Sequence, residues 1–571
     1  MFGICGACIF ALAGCMDASS EGETTDESSV ATYADIENMD LEYTDRDKRD
    51  TYDEASATKI TLQGESIELE GDGASVEGSC VTVTSEGTYV VSGELTNGQL
   101  RVNTGDTEKV QIVLAGAQIH NETGAALFIE QTDKCFITLA ADTNNVLSDG
   151  AEYALAEGED EPNAALFSKD DLTINGSGEL AVTGNYQHAI YSKDDLVITG
   201  GTFDIAAVED GLRGKDCLKI LSGTFTVDAG EDCLKSSRDD DPARGFVCID
   251  GGTFSLSAGD DAIHGETYLR VSNGDIEVSK CNEGLEAMVV QLDEGDIHVV
   301  SEDDAINAAA PSDATNDQVD PATADQGTPS QDTRDEELVP NRNMQPQGER
   351  ESSLEKSSDR EGKDGQTLGD TSMEPPTDIS VRPDEGSESP GENRDDGSSL
   401  RSLDDSGQEG GGIDSQRQTN NGGPTEGNEN CQLIINGATL TLEAKGDALD
   451  SNGSLEINGG TVFVTGPTSN GDGALDYALD ATCNGGQILI VGSAGMAQDF
   501  SKSTQPSAFV RVNGLANQEI SVADQSGKVL LSYTPTAAFE TLIVSSPDFV
   551  DGQEYILTIG NTTTEFAAAT K

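Results

Sequence analysis

From Ala164 onward the chain repeats itself. AALFSKDDLTINGSGELAVTG is followed by HAIYSKDDLVITGGTFDIAAV and DGLRGKDCLKILSGTFTVDAG, and three further copies run on to about Ala310. The residues that open successive copies, His188, Asp210, Asp232, Asp261, Glu283 and Asp304, lie 21 or 22 positions apart, except for one step of 29 that holds the polar insertion Arg238 to Pro242. A unit this short has no core of its own, so each copy must bury its apolar side against the next. Within a copy, runs of four to six residues alternate apolar and polar, as around Leu218–Ile220 and Phe225–Val227, and Gly-Gly, Ser-Gly or Asn-Gly turns separate them. Stacking the copies would pair each short strand with its equivalent about 4.8 Å away and leave a continuous inner column of Leu, Ile, Val and Phe. The expected fold is therefore all-β: a right-handed parallel β-helix, or solenoid, with a small C-terminal antiparallel β cap and a long disordered insertion.

The coil pattern fills residues 58–310, stops, and resumes at Cys431 to run through 431–505. The intervening 311–430 contain no Phe, Tyr or Trp and are rich in Ser, Gly, Gln, Asp and Glu. Such a stretch buries too little surface to offset its chain entropy, which makes it a disordered acidic insertion within one solenoid. Residues 506–571 alternate differently, in AFVRVNG, TLIVSSP and YILTIG, and read as the β cap that covers an exposed end. At the other terminus, MFGICGACIFALAGC is apolar but too short to span a bilayer, so residues 1–15 read as an export signal. Leu12-Ala13-Gly14-Cys15 resembles a bacterial lipobox, which implies cleavage before Cys15 and a lipid on its sulfur. The polar stretch 16–57 then reads as an acidic disordered tether. The expected location is the cell surface or periplasm, with membrane contact through the lipid anchor only. Of the eight cysteines beyond Cys15, Cys217, Cys233, Cys248 and Cys281 fall inside repeating strands, which favours buried thiols over a disulfide framework.

With 106 Asp and Glu against 32 Lys and Arg, the formal net charge is −74. That excludes nucleic acid as a partner, because phosphate recognition needs clustered Lys and Arg, and it favours hard cations. The acids recur in phase with the coils: Glu209, Asp210, Asp232, Asp260, Asp261, Glu283, Asp303, Asp304 and Asp447. Superposed coils would set them about 5 Å apart, where like charges repel by about 3 kcal/mol at an effective dielectric near 20. Two readings fit this column. Calcium takes six to eight oxygens from carboxylates and carbonyls and would relieve the crowding; alternatively the acids are turn residues bonding their own backbone. A second column, Asp170-Asp171, Asp194-Asp195 and Asp216, follows Lys169, Lys193 and Lys215, which would neutralise it in part. Arg213, Lys235 and His264 share one position in successive coils. Beside calcium, Lys235, Arg213 or Lys215 would be the base of a polysaccharide lyase. Glu286, Asn307 and Asp450 in later coils fit a solvated face of mixed charge instead. The four histidines show no ligand spacing, and no nucleophile elbow, phosphate loop or dinucleotide fingerprint occurs.

Asp160 to Leu180, AVEDGLRGKDCLKI, GPTSNGDGALDY (Gly466 to Tyr477) and LIVGSAGMAQ together resemble the bacterial carbohydrate-binding-domain proteins, from about Lys59 to Ala310 and from Cys431 to Gly560. The resemblance implies a fold similar to pectate lyases, surface attachment, calcium sites, and binding of cellulose or polygalacturonate. Cys217, Cys233 and Glu283 depart from it, standing where Ser or Thr, Gly and Asp are expected. The function this points to is calcium-dependent binding of an acidic polysaccharide such as polygalacturonate, or of cellulose, with calcium bridging protein carboxylates to uronate groups. The absence of Trp favours charge bridging over ring stacking. The alternatives are a calcium-dependent lyase and a structural or adhesive surface protein.

Overall fold

Each repeat folds as three short strands, and each strand pairs in parallel with its equivalent in the next repeat. His188–Ser192, Asp195–Ile198 and Thr202–Ala207 are followed by Leu212–Gly214, Cys217–Ile220 and Thr224–Ala229, with in-register pairs such as Ile190 to Leu212, Leu196 to Leu218 and Phe203 to Phe225. The computed structural model describes residues 30–156, 158–311 and 427–571. Among these the chain is all-β, with a parallel-rich main sheet and a single 3-10 turn at Ile36–Asn38. The export signal, Cys15 and almost all of 311–430 lie outside the described residues.

Strict register places like side chains on top of one another. Leu172, Leu196, Leu218, Val247, Leu269, Val290, Leu433 and Leu455 form one inner column and are all fully buried. Phe203, Phe225 and Phe254 form another, with ring centroids 4.8 Å apart and planes within 3°. Each such pair adds about 0.5–1.5 kcal/mol beyond its area burial. The register also crosses the insertion: Val289–Leu292 pairs with Gln432–Ile435, and Asp296–Ser301 with Thr439–Ala444. At the C-terminal side Phe539–Ser545 pairs antiparallel with both Gln487–Gly492 and Ser507–Gly514. A separate four-stranded antiparallel sheet comprises Val529–Tyr533, Ile520–Ala523, Gln553–Ile559 and Thr562–Ala568. The eight cysteines from Cys80 to Cys483 are free thiols, all but Cys80 buried.

Residues 30–57 depart from the expected disordered tether, because the sheet supplies buried partners for them. They form a strap on the outer face of the main sheet. Asp47 is 2% exposed; it accepts hydrogen bonds from the Thr44 hydroxyl at 2.7 Å and the Thr173 hydroxyl at 2.8 Å, and lies 3.0 Å from the Lys134 ammonium. Its carbonyl takes the Asn175 amide at 3.0 Å and the Thr199 hydroxyl at 2.9 Å. Further along, Lys219 projects outward from the middle of a strand yet is buried, and its ammonium donates to the Asp40 and Glu42 carbonyls at 2.8 and 3.1 Å. Met39 packs with Cys217, Phe246, Cys248 and Tyr268. Asp47→Ala would leave the Lys134 ammonium buried without its counter-charge, a cost of about 3 kcal/mol that the strap escapes only by lifting off. Limited proteolysis of that variant under native conditions should cut within 30–57 while the stacked coils stay intact; a strap as resistant as the parent's would show that Asp47 does not hold it.

Candidate functional site

The third strand row is the shortest, and its brevity fixes the geometry of the acids. Leu212–Gly214, Leu234–Ser236, Ile263–Gly265, Leu285–Ala287 and Ile306–Ala308 have three residues each; the outer two are buried and only the middle one faces out. The acid that opens each repeat sits two positions before the strand, and its backbone stays in the ladder, as in Gly211 N–H to Asp232 O at 2.9 Å and Ala262 N–H to Glu283 O at 3.0 Å. Its side chain then reaches along the stack. One carboxylate oxygen of Asp210 accepts the backbone N–H of Asp232 at 3.3 Å, Asp232 accepts that of Asp261 at 2.9 Å, Asp304 that of Asp447 at 2.6 Å, and Asp447 that of Gly473. The acids thus do bond backbone as turn residues would, but the amide belongs to the next coil. Their second oxygens meet the outward column three residues on.

That outward column changes character along the stack. Register joins Tyr191, Arg213, Lys235, His264, Glu286, Asn307 and Asp450 in order. In its cationic part each acid has a partner: Arg213 lies 2.9 Å from Asp210, Lys235 contacts Asp232, and His264 lies 2.9 Å from Asp261. Crowding at Asp210 and Asp232, which pointed to a divalent ion, is relieved there by the chain's own cations. Burial works against a charge on His264, but hydrogen bonds to Asp261 and Glu286, with the Glu266 carboxylate 3.6 Å away, hold its pKa well above the ordinary histidine value. Lys235 is likewise buried, and Asp232 and Asp210 raise its pKa well above the ordinary lysine value. A general base must shed its proton near working pH, which this environment opposes. Lys215 lies in the turn after Leu212–Gly214, its N–H bonded to Ser192 O at 2.8 Å. In the second acidic column, Asp216 is met by Arg238 at 3.1 Å and by Arg244, while Lys193 pairs with Glu161; Lys169 favours the charged form of Asp170 without forming an ion pair with it.

Beyond His264 the compensation ends. Among the described residues no Lys, Arg or His lies within ion-pair distance of Glu283, Asp304, Asp447, Asp450 or Asp476. Burial pushes Glu283 up to about 8, helped by Glu286, and pushes Asp304 up to about 8, helped by Asp447. Burial with Asp447 beside it raises Asp450 to about 7, and Asp447 itself stands at about 6 from burial and Asp476. Asn307 donates its amide to Glu283 at 3.0 Å, and its own buried side-chain oxygen has no donor. Ligand atoms lie within 4.8 Å of one another in three groups: Asp232, Asp261 and His264; Asp261, Glu283 and Glu286; and Asp447, Asp450 and Asp476. The first includes a nitrogen and borders Lys235. The other two are all oxygen, the donor type a hard divalent cation such as calcium takes; His264 already pairs with Asp261 and Glu286 in one of them, and only Asp447, Asp450 and Asp476 lack a counter-charge among the described residues.

The structure brings together Asp232, Asp261, Glu283 and Asp447 of the expected ligands, and leaves Glu209, Asp260 and Asp303 outside these groups. Glu209 accepts from Gln187 at 3.0 Å; Asp260 and Asp303 are exposed. Asp210 and Asp304 serve as ladder acceptors. Sequence reasoning missed Glu286, Asp450 and Asp476 as ligands, although Glu286 and Asp450 hold the third position after a ladder acid. Asp476 holds it after Gly473, where the ladder acid is replaced by glycine and the signal vanishes.

The sequence model of a family described as "Carbohydrate-binding domain-containing protein" matches residues 77–327. A relative from Acetivibrio thermocellus with the same description is 37% identical over 223 residues, which is 39% of this chain and 78% of the relative. A solved structure titled as the polysaccharide lyase-like protein from C. thermocellum, gadolinium derivative, is 30% identical, covers 43% of this chain and 91% of its own, and superposes with a TM-score of 0.36.

The raised carboxylates set the sign of the pH response. An unfolded Asp or Glu loses its proton near pH 4, whereas Glu283, Asp304 and Asp450 keep theirs in the folded chain to about 7 or 8. Between those values the folded state binds more protons, so its stability falls as pH rises. In chelator the melting temperature should drop steadily from pH 5 to pH 8, and a double Glu283→Gln, Asp450→Asn variant should flatten that decline. A profile equally steep in parent and variant would place the pH sensitivity elsewhere.

Proposed function

Because the chain belongs to the carbohydrate-binding domain-containing protein family, we propose that it binds polysaccharide with the help of calcium held on the uncompensated part of the carboxylate column. The reading takes the stacked coils as a right-handed parallel β-helix, and the chain as a surface protein anchored by a lipid on Cys15. One observation carries it: Asp447, Asp450 and Asp476 converge within 4.8 Å with oxygens only, and no Lys, Arg or His among the described residues lies within ion-pair distance of them; Asp261, Glu283 and Glu286 form a second all-oxygen group, two of whose members already pair with His264. Calcium on either group would leave coordination positions for an outside oxygen, since a calcium shell of six to eight oxygens exceeds what three side chains supply singly. A uronate carboxylate is the sugar group best matched to that vacancy, so an acidic polysaccharide such as polygalacturonate is the favoured ligand class. The charge of the whole chain adds a reason for the bridge: at −74 it repels a polyuronate unless divalent cations intervene.

Retention on immobilised polygalacturonate tests this. The full chain should be retained in millimolar calcium, released by chelator, and rebound on adding calcium back. Asp450→Asn with Asp476→Asn should weaken retention about tenfold, the loss of about 1.4 kcal/mol, without lowering the melting temperature in chelator. Retention indifferent to chelator, or to the double variant, would refute the calcium bridge.

A further inference from the structure

The outward column has a third part, upstream of the cations. Register joins Arg101 to Phe128, Phe128 to Phe167, Phe167 to Tyr191, and Tyr191 to Arg213. The three rings lie outside the main core, in a cluster of their own with Ala125 and Ala164. Successive centroids are 5.9 and 5.4 Å apart, and the guanidinium groups of Arg101 and Arg213 sit over the two end rings at 5.6 and 5.0 Å. At the Arg101 end opens a cavity of about 440 Å³, lined by Asn97, Gln99, Arg101, Asn121, Thr123 and Phe128 and closed in by Ala154, Leu155 and Pro162. The last three belong to the segment 150–163, which is pinned at its start by Tyr153: the ring stacks on Tyr186 at 4.3 Å, and its hydroxyl donates to Asp149 at 2.7 Å and to the Ala164 carbonyl at 3.0 Å. Near its end Glu161 pairs with Lys193.

We propose that this cavity is a subsite for an uncharged sugar unit, with the amide-lined wall reading its hydroxyls and Phe128, 8% exposed, meeting the sugar only at its margin. The proposal rests on the polysaccharide-binding reading and adds a place of contact that needs no calcium. The volume falls in the range of small-molecule sites, roughly 300–1,000 Å³, and the lining supplies a few fixed polar groups of the kind such sites use. Those groups are held before any ligand arrives. Gln99 and Asn121 both donate to the Ala125 carbonyl, at 2.9 and 2.8 Å, and Asn97 donates to Glu122 at 3.1 Å. The Gln99 side-chain oxygen and the Thr123 hydroxyl have no protein partner among the described residues, leaving an acceptor and a donor for hydroxyl groups. The wall carries no net charge, because Glu130 takes up the Arg101 guanidinium at 2.7 Å. An uncharged sugar is therefore favoured over a uronate here, the reverse of the carboxylate groups. Six coil steps separate Phe128 from Glu286 along the register, roughly 30 Å at strand spacing, so one extended polymer could touch both.

The test uses the full chain in chelator with cellotetraose as an uncharged probe, measured by titration calorimetry. Binding should be detected, and Phe128→Leu and Gln99→Ala should each weaken it at least tenfold while calcium-dependent retention on polygalacturonate stays within twofold of the parent. Gln99→Ala removes no apolar packing and so guards against a folding defect. If polygalacturonate is retained but cellotetraose is not bound, or is bound equally by both variants, the subsite is refuted and the calcium reading stands. If neither sugar is bound in any condition, the polysaccharide reading falls with it.

Discussion

In-register parallel stacking is the constraint on which the rest of this structure depends. Every residue of a coil meets its own counterpart about 4.8 Å away on each side, so a favourable choice is rewarded at every step and an unfavourable one is penalised at every step. For apolar residues the rule is simple: leucine on leucine fills the interior, and Phe203, Phe225 and Phe254 stack at the strand spacing itself. For charges the same rule is severe, and each charged column needs a local answer.

Three answers are visible. Asp210, Asp232, Asp304 and Asp447 each spend one oxygen on a backbone N–H of the next coil, which turns part of a file of like charges into hydrogen bonds. The other oxygen is neutralised by a cation three residues on, as long as the column supplies Arg213, Lys235 and His264. Past Glu286, which His264 still pairs, the column changes to Asn307 and Asp450 and the cations run out, and Glu283, Asp304 and Asp450 retain protons far above the ordinary carboxylate range. Only this anionic stretch of the column has carboxylates that no cation among the described residues answers. On the calcium reading proposed above, a divalent cation would compete with protons for the same carboxylates, and its affinity would rise with pH.

The stacking was legible because it is local in sequence: the 22-residue step, the glycine turns and the alternation around Leu218 and Phe225 each lie within one window. The column of Arg213, Lys235 and His264 was legible for the same reason, although its role was not, since a counter-ion and a catalytic base look alike until the distance to Asp210 or Asp232 is known. Contacts between distant segments left no such trace. Asp47 and Lys134 are an ordinary acid and an ordinary lysine until the coils bring them within 3.0 Å, and so 30–57 read as solvated chain. Phe128, Phe167 and Tyr191 escaped notice because the step from Phe128 to Phe167 includes the segment 150–163 and falls out of phase. A chain with only 5% aromatic residues can still concentrate three of them in one column.

The two outer faces divide the work. On the main sheet the outward positions include Lys134, Thr173, Asn175 and Lys219, and the strap satisfies all four from its own carbonyls and Asp47. That strand row is committed to holding the strap, whereas the other row of the main sheet, Thr202–Ala207, Thr224–Ala229 and Thr253–Ser257, keeps its outward residues exposed. The short-strand row offers one outward residue per coil, with no strap over it, so its chemistry can vary from coil to coil without disturbing the fold: the buried neighbours on either side carry the packing, and the middle residue is free to differ. Aromatic, cationic and anionic stretches can then follow one another along a single line. Phe128, Phe167 and Tyr191 are buried, so a polymer laid along that line would meet chiefly the cationic and anionic stretches, and a change at one coil would leave the others intact.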